Sequence, residues 1–272
     1  MNRFVNIFLF GLFFVSLNIK ANELQNLTSM QKSQYHLLQS KIINHNYHIY
    51  INLPLKYAEN PTKKYPTVYL LDGGITFPLL AGYHQYLMGA EELPEMIIVG
   101  ISYGTHDYRL GNRRSTDFTA PAKGRDHYGG AEHFQNMLAK ELFPLIEESY
   151  PSDPAKRIIF GQSIGGQFVI YDSMTSTKNF WGHIASNPAI HRNRDYFLSL
   201  DNKANNQTKL FISMAEFDDD RFIKPLKKYL KKAKKYKKWH LKTDKLKSHN
   251  HFSAAPMAFR NGMKWLLNNK TD

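Results

Sequence analysis

The 272-residue chain contains no cysteine. That absence excludes a disulfide scaffold, a zinc ribbon, an iron–sulfur centre, c-type haem attachment, a cysteine nucleophile and a cysteine-linked lipid anchor. Acids are scarce beside bases, 23 Asp plus Glu against 36 Lys plus Arg, for a formal charge of +13. The imbalance is local: residues 224–247 hold 12 Lys and one acid, Asp244, a net +11 that leaves +2 for the rest of the chain. A nucleic-acid binder would spread its charge and interleave aromatics, so no nucleic-acid partner is expected and this block reads as a solvated lysine face on a helix. Weak long-range contact of that face with an anionic envelope surface is its other expected role. Linkers rich in Pro, Gly or Ser are missing, as are internal repeats, so one domain is expected over residues 22–272. With 42% hydrophobic residues that domain can bury a substantial core.

Long apolar runs are lacking too, apart from residues 4–17, interrupted only by Asn6, Gly11 and Ser16. Such a run is short of the ~20 residues a membrane-spanning helix needs. Preceded by Arg3 and followed by Lys20-Ala21, it has the grammar of a signal peptide over residues 1–21, cleaved after Ala21, and implies a periplasmic or secreted protein.

Periodicity then sorts the rest. Residues 47–53 alternate like a half-buried strand, whereas 67–71 and 96–99 are continuous apolar runs, as in central strands buried on both faces. Further strands are expected at 157–160, 181–185, 210–214 and 239–243. Helices are expected at 79–87, 131–148, 167–174, 223–238 and 256–267. The stretch 102–130 is polar, aromatic and without a clear period, the mark of a long functional loop. Alternating strands and helices of this kind predict an α/β fold with a mostly parallel central sheet and helices on both faces.

Gly161-Gln162-Ser163-Ile164-Gly165 fits G-x-S-x-G, the strand-to-helix turn that exposes a nucleophilic serine. A second copy, Gly100-Ile101-Ser102-Tyr103-Gly104, has no helix behind it, so Ser163 is the expected nucleophile and Ser102 an ordinary turn serine. A serine needs a histidine base, and that base needs an acid to fix its tautomer. In the chain order Ser, acid, His, the acid is sought among Glu216, Asp218 and Asp219 and the base among His249 and His251. The oxyanion hole would combine the amide of Ile164 with one from the loop after the early central strand, Gly74 first, then Gly73 or Ile75.

The chain resembles the putative-esterase family of α/β hydrolases, which includes enterochelin-esterase-like and esterase D-like enzymes. The resemblance rests on Tyr65 through Gly73, on Arg114-Ser115-Thr116-Asp117-Phe118-Thr119-Ala120-Pro121, on Gly129-Gly130-Ala131 with Phe134, on Glu141-Leu142-Phe143-Pro144, and on Arg157 with Gly161 through Gly166. It implies an α/β-hydrolase fold; no cofactor is expected, and no metal either, because His249-x-His251 lacks a third ligand cluster of the usual spacing. The family's Gly-Glu-x-acid segment falls on Ala215-Glu216-Phe217-Asp218, which favours Asp218 over Glu216. Its His-x-Ser/Thr pattern falls on His251-Phe252-Ser253.

The expected function is an exported serine esterase acting through a Ser163–His251–Asp218 triad and an acyl-enzyme, on a small-molecule ester of siderophore or carbohydrate type. An inactive hydrolase-fold binding protein and an acyltransferase using the same residues are the alternatives. Tyr103, Tyr108, Arg109, Arg113 and Arg114 lean towards an anionic or aromatic substrate, although Arg113 and Arg114 could instead pair with Asp117 or Glu132. The sequence gives no oligomeric state.

Overall fold

The computed structural model describes residues 27–267 apart from 31, 61, 177, 201–207 and 237–238; the expected signal peptide, residues 1–21, lies outside the described residues. In chain order the strands are β1 (Ser33–Ser40), β2 (His45–Asn52), β3 (Tyr65–Leu70), β4 (Ile97–Ser102), β5 (Ser152–Gln162), β6 (Gly182–Ser186), β7 (Lys209–Ala215) and β8 (His240–Leu246). The helices are α1 (Gly73–Gly89), α2 (Arg114–Asp117), α3 (Ala131–Met137), α4 (Phe143–Ser149), α5 (Ile164–Thr175), α6 (Arg194–Ser199), α7 (Asp220–Ala233) and α8 (Ala255–Leu267).

The strands form one sheet in the order β1-β2-β4-β3-β5-β6-β7-β8. The pairs β1–β2 and β2–β4 are antiparallel and every later pair is parallel. Successive residues of a strand point to opposite faces, so an uninterrupted apolar run must be covered twice. In β3, Val68 and Leu70 pack with Phe77 and Leu80 of α1 and Phe259 and Met263 of α8. On the other face Tyr69 and Leu71 join the core formed with Phe134 of α3, Phe143 of α4, Phe168 of α5, Phe197 of α6 and Tyr229 of α7.

Three elements differ from the sequence reading. Strand β1 was not expected: its burial alternates weakly and it lies at the sheet edge, where pairing with β2 holds it in place of a hydrophobic pattern. The single helix expected over 131–148 is α3 and α4 joined by a π-helical segment, Leu138–Leu142. Helix α1 starts six residues earlier than its apolar period suggests, because Gly73 and Gly74 begin it directly after Asp72. That places a helix N-terminus at the edge where β5, β7 and β8 also end.

Candidate active site

Ser163 sits between the last residue of β5 and the first of α5 with φ 58° and ψ −117°. A serine with positive φ is strained by about 1–3 kcal/mol, so its surroundings must impose the conformation. Its N–H donates to the Ser186 carbonyl at 3.0 Å, and its own carbonyl accepts from Gln167 at 3.0 Å and Ala189 at 2.9 Å. The turn is so tight that a Cβ on Gly161 would lie 2.4 Å from the carbonyl carbon of Gly165. Ser102, the serine of the second motif, ends β4 without positive φ. Its hydroxyl accepts from the Gly104 amide at 3.1 Å.

His251 lies in the loop after β8, and its Nδ1 is 3.0 and 2.9 Å from the two carboxylate oxygens of Asp218, which follows β7. An ionised carboxylate can only accept, so Nδ1 carries the proton, and in the neutral ring Nε2 then keeps its lone pair. Asp218 is 4% exposed and His251 13%, which strengthens the contact by excluding water. The His251 carbonyl accepts from the side-chain amides of Gln162, inside the serine motif, and of Asn187, the latter at 3.3 Å. Asn187, at φ 43°, also receives the Ala215 amide on Oδ1 at 3.0 Å, tying the ends of β6 and β7 to the histidine loop.

The Phe222 ring lies across the His251 face, centroids 4.4 Å apart and planes 20° from parallel. The Arg221 guanidinium stands 4.6 Å from the Phe222 centroid, and His191 meets that ring edge-on at 5.1 Å. Burial, followed by the charges of Arg192, Arg221 and Arg125 and then His251, holds the His191 pKa below its ordinary value.

The competing acids have other partners. Glu216 accepts from the Ser248 amide and from Lys245, both at 3.0 Å, and those contacts, the Ser248 hydrogen bond first, hold its carboxyl below the usual range. Asp219 caps α7, accepting the Arg221 amide at 2.8 Å. The Nδ1 of His249 lies 3.3 Å from Ser253 Oγ. Among the described residues no three His, Asp or Glu side chains converge as metal ligands would.

A cavity of about 690 Å³ opens at this edge, and Ser163, Asp218, His251 and Gly74 all line it, as does Ser102. Ser163 Oγ and His251 Nε2 form no direct hydrogen bond here; such contacts often tighten only with substrate. Gly74 is exposed to the cavity, whereas Gly73 is buried against β4, where a Cβ would meet the Ile101 nitrogen at 2.5 Å. The Ile75 amide is spent on the Asp72 carbonyl at 2.9 Å. Ile164 opens α5, where the first amides of a helix have no acceptor of their own.

Of the five residues read as leaning towards substrate, only Tyr103 and Arg114 line the cavity. Arg109 pairs with Asp107 at 2.7 Å and Arg113 with Asp117 at 3.4 Å. Arg114 grips Asp72 through two bonds of 2.8 and 2.9 Å. Asp72, at φ 55°, immediately precedes Gly73 and Gly74, so Arg114 fixes the start of α1. The cavity cation missed by sequence reading is Arg221, which pairs with Asp219 at 3.3 Å.

Residues 40–264 match the family described as Putative esterase. The chain is 30% identical over 214 residues to the ferri-bacillibactin esterase BesA of Bacillus subtilis (strain 168), covering 71% of this chain and 73% of that protein. It is 29% identical over 149 residues to the apo-salmochelin esterase of Escherichia coli O6:H1, covering 51% of this chain and 46% of that one. An IroE-like serine hydrolase of Shewanella oneidensis superposes with a TM-score of 0.75 at 23% identity, covering 86% of this chain and 79% of that chain. With the fold, these matches establish that the chain belongs to the putative-esterase family of α/β hydrolases and is a carboxylic ester hydrolase.

Proposed function

We propose that Ser163, His251 and Asp218 act as nucleophile, base and orienting acid in an exported serine esterase. The observation that carries this reading is the Asp218–His251 pair beside Ser163 in one cavity. His251 Nε2 takes the proton of Ser163 Oγ as the oxygen attacks the ester carbonyl carbon. The carbonyl oxygen becomes an oxyanion facing the amides of Ile164 and Gly74. Collapse breaks the bond to the alcohol oxygen, which leaves with the proton from Nε2. Water then gives a proton to Nε2 and attacks the acyl carbon; the bond to Ser163 Oγ breaks as Nε2 returns that proton to it, releasing the acid and restoring both residues. Asp218 keeps Nδ1 protonated throughout and stabilises the imidazolium.

Relatives named as a ferri-bacillibactin esterase and an apo-salmochelin esterase support a siderophore-type ester as substrate. A cavity of about 690 Å³ leaves room for a bulky ester. Export follows from the signal-peptide grammar of residues 1–21.

Hydrolysis of a chromogenic short-chain ester tests the chemistry: Ser163→Ala should lose about 10³-fold or more in kcat. Full activity in that variant would overturn the assignment of the nucleophile. Incubation with bacillibactin or salmochelin, followed by mass spectrometry, tests the substrate; uptake of water at the ester is expected, and an unchanged mass would rule that class out.

A further inference from the structure

Helix α7 carries two opposed stripes. Leu226, Tyr229, Leu230 and Ala233 are buried in the core. Lys224, Lys227, Lys228 and Lys231 recur at spacings of three and four on the exposed side, and Lys234 and Lys235 continue the row past the helix end. At 1.5 Å per residue the row from Lys224 to Lys235 is roughly 16 Å long. Lys224 is paired with Asp220 at 2.8 Å. Among the described residues no carboxylate pairs with Lys227, Lys228, Lys231, Lys234 or Lys235. Lys232 points elsewhere, its Nζ donating to the carbonyls of Leu198 at 2.5 Å and Leu200 at 3.2 Å.

This arrangement works against the helix. Like charges three and four residues apart repel, and cations in the first half of a helix face the positive end of its dipole. Of the row only Lys224 lies in that half, and the dipole favours only the lysines of the last turn and beyond. A face meant only for solubility would mix signs, as the acids elsewhere in this chain do.

The character of the charge points to its partner. Residues 224–247 include 12 Lys and no Arg. Arginine's planar fork is suited to bidentate grip on individual phosphates, while lysine is a hydrated point charge that responds to a diffuse field. The exposed row also lacks aromatics, since Tyr229 is turned inwards, so it offers no platform for stacking bases. An exposed lysine row without base-stacking groups matches a bilayer surface of anionic lipid better than a nucleic acid. We propose that the outer face of α7 is a docking surface for anionic lipid headgroups, holding the enzyme at a membrane. The inference does not depend on the catalytic roles assigned above.

Sedimentation with sucrose-loaded vesicles tests it. At low salt the protein should pellet with vesicles of phosphatidylcholine and phosphatidylglycerol but not with phosphatidylcholine alone, and salt at about 0.5 M should release it. Replacing Lys227, Lys228, Lys231 and Lys235 with Gln should weaken binding about 100-fold or more, at roughly fivefold per lysine. The same four positions as Arg should retain it. Lys56, Lys64, Lys123 and Lys140 changed to Gln remove equal charge from other exposed positions and should leave binding near wild type. All variants should hydrolyse a neutral soluble ester at the wild-type rate, which certifies their folding. Equal losses in the two Gln variants, no binding to anionic vesicles, or tighter binding to duplex DNA than to vesicles would each overturn the proposal.

Discussion

At the scale of single residues, two contacts fix the His251 ring in different ways. Asp218 takes its Nδ1 edge at 2.9 and 3.0 Å, and Phe222 covers one face at 4.4 Å. If Asp218 orients the base, Asp218→Asn should lower kcat by about 10²-fold or more, since the amide can present a donor to Nδ1 and favour the wrong tautomer. Glu216→Gln and Asp219→Asn should cost far less, because those acids brace Ser248 and cap α7. Equal losses in the three variants, measured on one soluble ester, would place the acid elsewhere. Spacing alone does not separate these three acids, since all stand within four residues after β7; the family resemblance was what favoured Asp218. Phe222 and Asn187 were not legible at all. Phe222 stands just outside the helix expected over 223–238, and the role of Asn187 depends on bonds to Ala215 and to His251, 64 positions away.

Among the elements, the strands buried on both faces were legible because continuous apolar runs such as Ile158-Ile159-Phe160 admit few other readings. Strand β1 was not, because its order comes from pairing with β2, as an edge strand can dispense with apolar alternation. Another tertiary tie joins the turn after α1 to α8, where Glu92 accepts from Arg260 at 2.7 Å and Lys264 at 3.1 Å. Hydrogen bonds from Lys264 and, against some desolvation, from Arg260 hold the Glu92 carboxyl below its ordinary pKa. A carboxylate depressed by folding contributes stability that is complete above its unfolded pKa and is lost as pH falls through the folded one. Glu92→Gln should therefore lower the urea midpoint at neutral pH, with the gap from wild type closing in acid. A gap that stayed constant down to low pH would mean that the charge of Glu92 contributes nothing to holding α8.

Across the whole molecule, charge is divided between two regions of different character. At the cavity two ion pairs are locally balanced, Asp72 against Arg114 and Asp219 against Arg221. The surplus lies on α7 and the segment after it, where residues 224–247 carry +11 of the total +13. The surplus was readable from composition. The cavity balance was not, because Asp72 and Arg114 are 42 residues apart and meet only when β3 and the loop after β4 end on one edge. That shared edge also brings both G-x-S-x-G serines to the same cavity, so chemistry must choose between them. Reaction with a fluorophosphonate, read by intact mass and peptide mapping, makes the choice directly. One adduct per chain on Ser163, absent in Ser163→Ala and strongly slowed in His251→Ala, is the predicted result; an adduct on Ser102, or none on the folded protein, would contradict it.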